Sequence, residues 1–353
     1  MNPHPNLGYT LKPNSGPTAS SRFASLLGRA ISQRKPLIES GVSDAFRVFG
    51  GEADGMDGLY VDVYGSGAIL IEYQGRVKPA ISPGIAGRVV LDALWNKGVR
   101  AVYHKPFSKD RSRMGGKLPE VATSRDPIAG EALPEAFVIA EHGIKLEVRM
   151  YDGLSTGLFL DQRENRSWIA SGVRFRAASG KIPTVLNTFA YTCAFSVAAA
   201  KAGAITTSVD VSARYLDWGK RNFAHNGLDP ALHRFAKMDT FEFLGYAARK
   251  SLRYDLIVLD PPSFSSGSKK KGVAAWSSAD DYGRLLAESA MLLNPKGVIF
   301  ASTNTAELCR KGRLEREITK AIPRRLEWLT LPPPAPDFAT EKDRFAALAF
   351  RPH

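Results

Sequence analysis

The stretch YDLIVLDPPSFSSGSKKKG, residues 254–272, runs from an apolar segment straight into Asp260, two prolines, a serine-rich loop and three lysines. An unbroken apolar run bounded by turn residues is the pattern of a strand buried on both faces, as in a parallel sheet covered by helices. Pro261 and Pro262 carry no N–H and have a fixed φ, so they end the strand stiffly, with carbonyls but no competing amide donors at its tip. Folding alone gives no reason for a carboxylate there. In an open parallel sheet, however, ligands bind beyond the carboxyl ends of the strands, which makes Asp260 a candidate site residue.

Working outward, the same rhythm repeats. TVLNTF, ITTSVD, YDLIVLD and GVIFAS alternate with helical patterns near 194–202, 212–226, 240–250, 278–294 and 306–321. This alternation predicts an α/β, doubly wound and mainly parallel sheet. The final run RFAALAF reads as an edge strand after the proline-rich loop LPPPAPDF. The predicted strand tips are polar: Asn187 on the first, Asp210 on the second, Asp239 on the third and Asp260 on the fourth. Asp210 and Asp239, each alone, would read as helix caps; three carboxylates at strand tips repel one another and favour a site. Asp210 follows Asn187 by 23 residues, where an acid can take two ribose hydroxyls. The chain has no GxGxxG and no GxxxxGK[ST], so a ligand held through a phosphate chain is not indicated.

Before residue 150 the pattern is different. From 46 to 75 it has period two, with LYVDVY and AILIEY flanking Gly65-Ser66-Gly67 as a hairpin. A helical pattern at 83–97, the strand RAVYH and a second hairpin closing on Glu141-His142-Gly143 follow. Residues 21–150 are thus expected to form a small α+β domain, open to an RNA-binding role, ahead of a catalytic domain over 151–353. Residues 1–20 read as a disordered start, with a helix capped near Ser20 or Ser21 burying Phe23, Leu26, Leu27, Ala30 and Ile31. The absence of acids before Glu39 also keeps a targeting segment open.

Composition narrows the function classes. The net charge is +13, and it is uneven: residues 1–165 hold 20 Lys/Arg against 18 Asp/Glu, residues 166–353 hold 28 against 17. A basic second half suits a polyanion such as RNA, or is simply a solvated basic surface. Two isolated cysteines exclude a disulfide framework and fit a reducing, cytoplasmic setting. Scattered histidines without HExxH give no support for a metal, and no apolar run reaches the roughly 20 residues of a membrane span.

Four ordered segments carry a family resemblance: STGLFLDQRENR, VLNTFAYTCAFSVAAAKAGA, SVDVSARYLDWGKRNFAHNGL and LIVLDPPSF. Together they resemble class I S-adenosylmethionine-dependent methyltransferases, specifically the bacterial group that modifies large-subunit ribosomal RNA. The resemblance extends over about residues 21–353, since EADGMDGLYVDVYG and AEHGIKL are similar to that group's central domain. It implies a seven-stranded Rossmann-like catalytic domain with S-adenosyl-L-methionine as cofactor and large-subunit ribosomal RNA as partner. Thr156, Phe159, Asp161 and Arg163 would line the cofactor pocket, and Asn187, Phe189 and Tyr191 would hold the methionine moiety. Asp210 would take the ribose, Asp239 the adenine amine, and Asp260 would sit nearest the methyl. Asp260, Pro261 and Pro262 would orient the target base, with Phe264 stacking on it. Lys269, Lys270 and Lys271 would grip phosphates as a flap, or form a plain solvated loop. Monomer and homodimer both stay open.

The target atom follows from a departure. The cytosine-C5 members attack the ring with a cysteine where this chain has Asn304, because carbon 5 becomes nucleophilic only after a thiolate adds. Cys309 lies five residues beyond, and Cys193 stands where relatives have glycine. Asn304, DPPSFS, YLDWGKRN and PDFA instead resemble the guanine-N7 half of a bifunctional ribosomal RNA enzyme, whose lone pair needs no covalent activation. Asn304 would donate to a guanine carbonyl or cap a helix near Ala306. Neither the N-terminal RNA-binding domain of the C5 relatives nor the second catalytic half is expected here, so recognition falls to the small domain, the basic surface or a partner. Cytosine-C5 chemistry, a silent RNA-binding or ribosome-assembly protein, and a small-molecule or protein methyltransferase are the alternatives.

Overall fold

The computed structural model describes residues 18–108, 118–265, 276–341 and 344–353. Its first helix, α1 (Ala19–Gln33), starts earlier than the sequence suggested, because Thr18 rather than Ser20 or Ser21 takes the capping role, its hydroxyl accepting from the Ser21 amide. Phe23, Leu26, Leu27 and Ala30 form its buried face. After α2 (Lys35–Glu39), the strands β1 (Ala45–Gly50), β2 (Leu59–Tyr64) and β3 (Gly67–Tyr73) form an antiparallel meander. Helix α3 (Pro83–Leu94) returns the chain to β4 (Ala101–Phe107), which pairs parallel to β3, and β5 (Ala129–Gly130) closes the sheet in the order β1-β2-β3-β4-β5.

Strand alternation gives this sheet two different faces. Leu59, Val61, Val63, Ala68, Leu70 and Val102 pack against α1 and α3. Tyr60, Ile71, Tyr73, Lys105 and Phe107, on the opposite face, line a cavity. The hairpin of β6 (Phe137–Glu141) and β7 (Ile144–Val148) closes on the expected Glu141-His142-Gly143 corner.

From α4 (Arg163–Ala177) onward the chain alternates: β8 (Thr184–Thr188), α5 (Ala194–Lys201), β9 (Ile205–Asp210), α6 (Ala213–His225), β10 (Arg234–Lys237), α7 (Thr240–Arg249) and β11 (Tyr254–Leu259). The short pair β12 (Phe264–Ser265) and β13 (Trp276–Ser277) precedes α8 (Ser278–Ala290), β14 (Leu293–Thr303), α9 (Ala306–Cys309), α10 (Arg313–Ala321), β15 (Leu326–Leu329) and β16 (Ala346–Pro352). The result is a doubly wound, Rossmann-like sheet of order β10-β9-β8-β11-β14-β16-β15, with the strands from β10 to β14 in that order parallel. The strand order reverses between β8 and β11, the crevice where such sheets bind ligands. Among the described residues, no helix is long and apolar enough to cross a membrane.

Two expectations need correction. The final strand is not an edge: β16 lies between β14 and β15, antiparallel to both, and the edge is β15, whose four residues are too few and too exposed to show a pattern. The helical pattern at 306–321 is two helices, because Gly312 adopts φ +70 and starts α10 afresh. Three arginines with little exposure tie these segments together. Arg47 bridges Asp62 and Glu341, Arg163 bridges Asp337 and the Ala45 carbonyl, and Arg166 pairs bidentately with Glu141.

Candidate active site

The loop from β8 to α5 is built of backbone that side chains disfavour. Phe189, Tyr191 and Cys193 have φ of 52, 49 and 63, left-handed conformations that cost of order 1 kcal/mol each and persist only where surroundings over-determine them. Here they do. The Ala190 amide donates to the Val209 carbonyl and the Tyr191 amide to Asp210 Oδ2 at 2.8 Å. Asn222 Nδ2 holds the Thr192 carbonyl, while the Thr192 hydroxyl reaches the Gly157 carbonyl at 2.6 Å. Asp210 also accepts from the Ser212 amide, so each of its oxygens spends one lone pair on the loop and keeps another for a ligand hydroxyl. Burial pushes its pKa up. Asn187 is 1% exposed and donates to Ser196, so its side chain braces the strand end from inside.

Asp260 ends β11 as expected and faces inward. Its Oδ1 accepts from the Ser302 hydroxyl at 2.6 Å and from Gln162 Nε2 at 3.0 Å, and Gln162 is itself oriented by Asn165. Burial outweighs these donors and raises the Asp260 pKa to about 6, helped by the nearby charge of Asp161. Asp161 is also shifted up by burial, against the pull of Arg47 and Arg166. Two neighbouring, partly desolvated carboxylates of raised pKa form a place where a cationic ligand gains and water is poorly placed.

The tip beyond Asp260 departs from expectation at Pro262. Its carbonyl is not free for a base, since Trp276 Nε1 donates to it at 2.7 Å and the Ser278 hydroxyl at 2.9 Å. Trp276 also meets the ring of Phe189 at 5.1 Å, tying the loop after β11 to the loop after β8. Pro261 is buried, whereas Phe264 is 68% exposed, which rules out a core role for that ring. Ser263 donates to Asn304 Oδ1 at 2.5 Å across the tips of β11 and β14. Thr305, not Asn304, occupies the N-cap of α9, so Asn304 stands exposed with its amide nitrogen available. The two thiols are both buried: Cys193 is fully so, with its pKa pushed up to about 12, and Cys309, at the edge of the cavity that the small sheet lines, donates to the Thr303 carbonyl.

Residues 118–351 match the S-adenosylmethionine-dependent methyltransferase family, two-thirds of the chain. The chain belongs to that family. Among curated relatives, YwbD of Bacillus subtilis, provisionally named a ribosomal RNA large subunit methyltransferase, is 39% identical over 85% of this chain and 71% of its own. Ribosomal RNA large subunit methyltransferase K of Neisseria meningitidis is 31% identical over 84% of this chain and 78% of its own. Among solved structures, SMU.776, described as a methyltransferase and crystallised with S-adenosylhomocysteine, superposes with a TM-score of 0.78 at 30% identity, covering 96% of this chain and 83% of that one. The protein is an S-adenosylmethionine-dependent methyltransferase.

The methyltransferase brings most of the expected residues to one end of its sheet, but not all in the expected way. A cavity of about 910 Å³ is lined by Thr156, Phe159, Asp161, Tyr191 and Asn304 and extends to the small sheet; the strand-tip acids Asp210, Asp239 and Asp260 do not line it. Asp239 caps α7 through Oδ1 alone, accepting from Phe241 and Glu242 amides. Arg163 is the clear correction: its guanidinium is fully buried and spent on Asp337, Glu164 and Ala45, so it positions α4 rather than touching a ligand. Lys269, Lys270 and Lys271 lie outside the described residues. Sequence reasoning misses Gln162, Ser302, Ser263 and Trp276; each is adjacent to a residue it does name or lies in the same segment, except Trp276.

Proposed function

We propose that this methyltransferase modifies a base nitrogen of large-subunit ribosomal RNA in the cytoplasm, guanine N7 being the favoured atom, by direct transfer without a covalent enzyme adduct. The observation that carries this reading is the pairing of an exposed Asn304, fixed through its oxygen by Ser263, with two thiols that are buried and occupied. An amide nitrogen so oriented can donate to a guanine carbonyl and hold the ring in line, which is most of what a nucleophile with its own lone pair requires. Phe264, exposed beside it, offers a stacking face. The names of the relatives supply the RNA class.

Bound S-adenosylmethionine would supply an electrophilic methyl group on a cationic sulfur. The residues present suit it: Asp161 and Asp260 favour a cation, Asp210 has lone pairs left for the ribose, and Asp239 keeps Oδ2 for the adenine end. Thr156, Phe159, Phe189 and Tyr191 would wall the methionine side. Because guanine N7 carries no proton, Asp260 need not act as a base; its role is to attract and orient. Incubation with tritiated S-adenosylmethionine and ribosomal RNA from cells lacking the protein, followed by nucleoside analysis, tests this. Label in 7-methylguanosine is the expected result. Label in 5-methylcytidine would overturn it and direct attention to Cys309, which borders the cavity.

A further inference from the structure

Both side-chain donors that meet Asp260 act on one of its oxygens. Oδ1 accepts from the Ser302 hydroxyl at 2.6 Å and from Gln162 Nε2 at 3.0 Å, while Oδ2 accepts from none of the described residues. The other proton of Gln162 Nε2 goes to Ser302 Oγ at 3.1 Å, and Gln162 Oε1 accepts from Asn165 Nδ2 at 2.8 Å, so the amide is fixed in one orientation with both protons spent. Gln162 is 3% exposed and Ser302 is fully buried. The closed triangle of Gln162, Ser302 and Asp260 therefore holds the carboxylate by one edge. A carboxylate has about four lone-pair sites, and one kept only to fill a polar gap would share its donors between both oxygens. The place of Gln162 is set in turn by the first part of the chain. It ends the single turn Leu160–Gln162. Arg166, paired with Glu141 of β6, donates to the Phe159 carbonyl at 2.9 Å, and Arg163 donates to the Ala45 carbonyl of β1 at 3.1 Å.

We propose that Gln162 is a positioning residue for methyl transfer: with Ser302 it turns Asp260 so that Oδ2 is the oxygen presented to the sulfonium of S-adenosylmethionine, and it carries the placement of the small sheet to that acid. The inference rests on the reading of Asp260 as the cation's partner and needs nothing from the RNA reading. An amide suits the task because it donates without adding charge. A glutamate there would repel Asp260, and a leucine would leave Oδ1 with one donor and Ser302 Oγ with none. The charged groups that face Asp260 are Asp161 of the same turn and Arg166 of α4, and Tyr282 of α8, held neutral by burial, faces it as well. None of the three donates to it, so among the described residues the side-chain donors to Asp260 are Gln162 and Ser302.

Titration calorimetry on Gln162→Leu, Asp260→Asn and the double variant tests this without RNA, using S-adenosylmethionine and S-adenosylhomocysteine, which lacks the sulfonium charge. Gln162→Leu should weaken S-adenosylmethionine binding about tenfold, or ~1.4 kcal/mol, and S-adenosylhomocysteine binding much less. Ser302→Ala, which removes the other donor by a smaller change, should act in the same direction. In wild type the affinity for S-adenosylmethionine should fall as pH drops through about 6, where Asp260 takes a proton. In Gln162→Leu the fall should begin at higher pH, since the ionised acid has lost a donor. In the Asp260→Asn background, Gln162→Leu should change little. Equal losses for both ligands with an unmoved pH profile overturn the inference, by reducing Gln162 to a support of its own turn. So does unchanged affinity in Gln162→Leu where Asp260→Asn weakens binding. Asp260→Asn that binds S-adenosylmethionine as wild type does removes the reading of Asp260 and the inference with it.

Discussion

Replacing Asp260 by Asn should make the protein more stable and nearly inactive. The carboxylate sits where burial raises its pKa from 3.8 to about 6. At ~1.4 kcal/mol per pKa unit, the ionised form therefore costs the folded state up to about 3 kcal/mol. The sign is opposite to that of a salt-bridged acid. A folded-state pKa above the unfolded one means that the cost is complete above about pH 6, is about halved at pH 5 and has nearly vanished by about pH 4. Asn keeps an Oδ1 for Ser302 and Gln162 while removing the charge. Thermal unfolding of wild type and Asp260→Asn, without cofactor, should differ by roughly 2–4 °C per kcal/mol at pH 8 and by clearly less at pH 5. Bound S-adenosylmethionine should shrink the difference, since its positive charge stabilises only the carboxylate form. A melting temperature that is unchanged or lower in the variant, or a difference independent of pH, would refute the claim that this strand tip trades stability for a cation site.

Other expectations concern the junction, the mouth and the strained loop. Arg47→Met strands Asp62 and Glu341 as buried, unpaired charges and should cost about 3–5 kcal/mol in urea unfolding. Phe264→Ala should leave stability within about 0.5 kcal/mol, since the ring is exposed, yet lower kcat/KM on RNA by the equivalent of ~1–3 kcal/mol. A β-carbon at Gly219 would collide with Cys193 Sγ, so Gly219→Ala should destabilise by about 1–3 kcal/mol. Adding Cys193→Gly, which suits φ +63, should restore most of that loss in a double-mutant cycle.

Sequence exposes what local physics writes into adjacent residues. Asp260 is legible because an apolar run ending in an acid conflicts with folding preference, and β9 falls on ITTSVD as the sequence suggested. Cys193 in place of glycine is legible as a departure, but its consequence is not: the side chain points into α6, where Gly219 makes room, rather than into the cofactor loop. Contacts between distant segments are the illegible part. Gln162 and Ser302 reach Asp260 across 98 and 42 residues, and no local pattern marks a Gln or Ser as a clamp. Arg163 illustrates the converse error. A motif gives the order of side chains but not the face of the helix on which each emerges, so Asp161 faces the cavity while Arg163, two residues on, is buried against Asp337. Pro262 misleads for the same reason: the absence of its own N–H is legible, but the indole and hydroxyl that occupy its carbonyl come from residues 14 and 16 positions later. Exposure is what separates the two classes of residue at this site. Asn304 and Phe264 do little for the fold, since one caps no helix and the other packs in no core, and residues the fold does not need are the ones a substrate can claim.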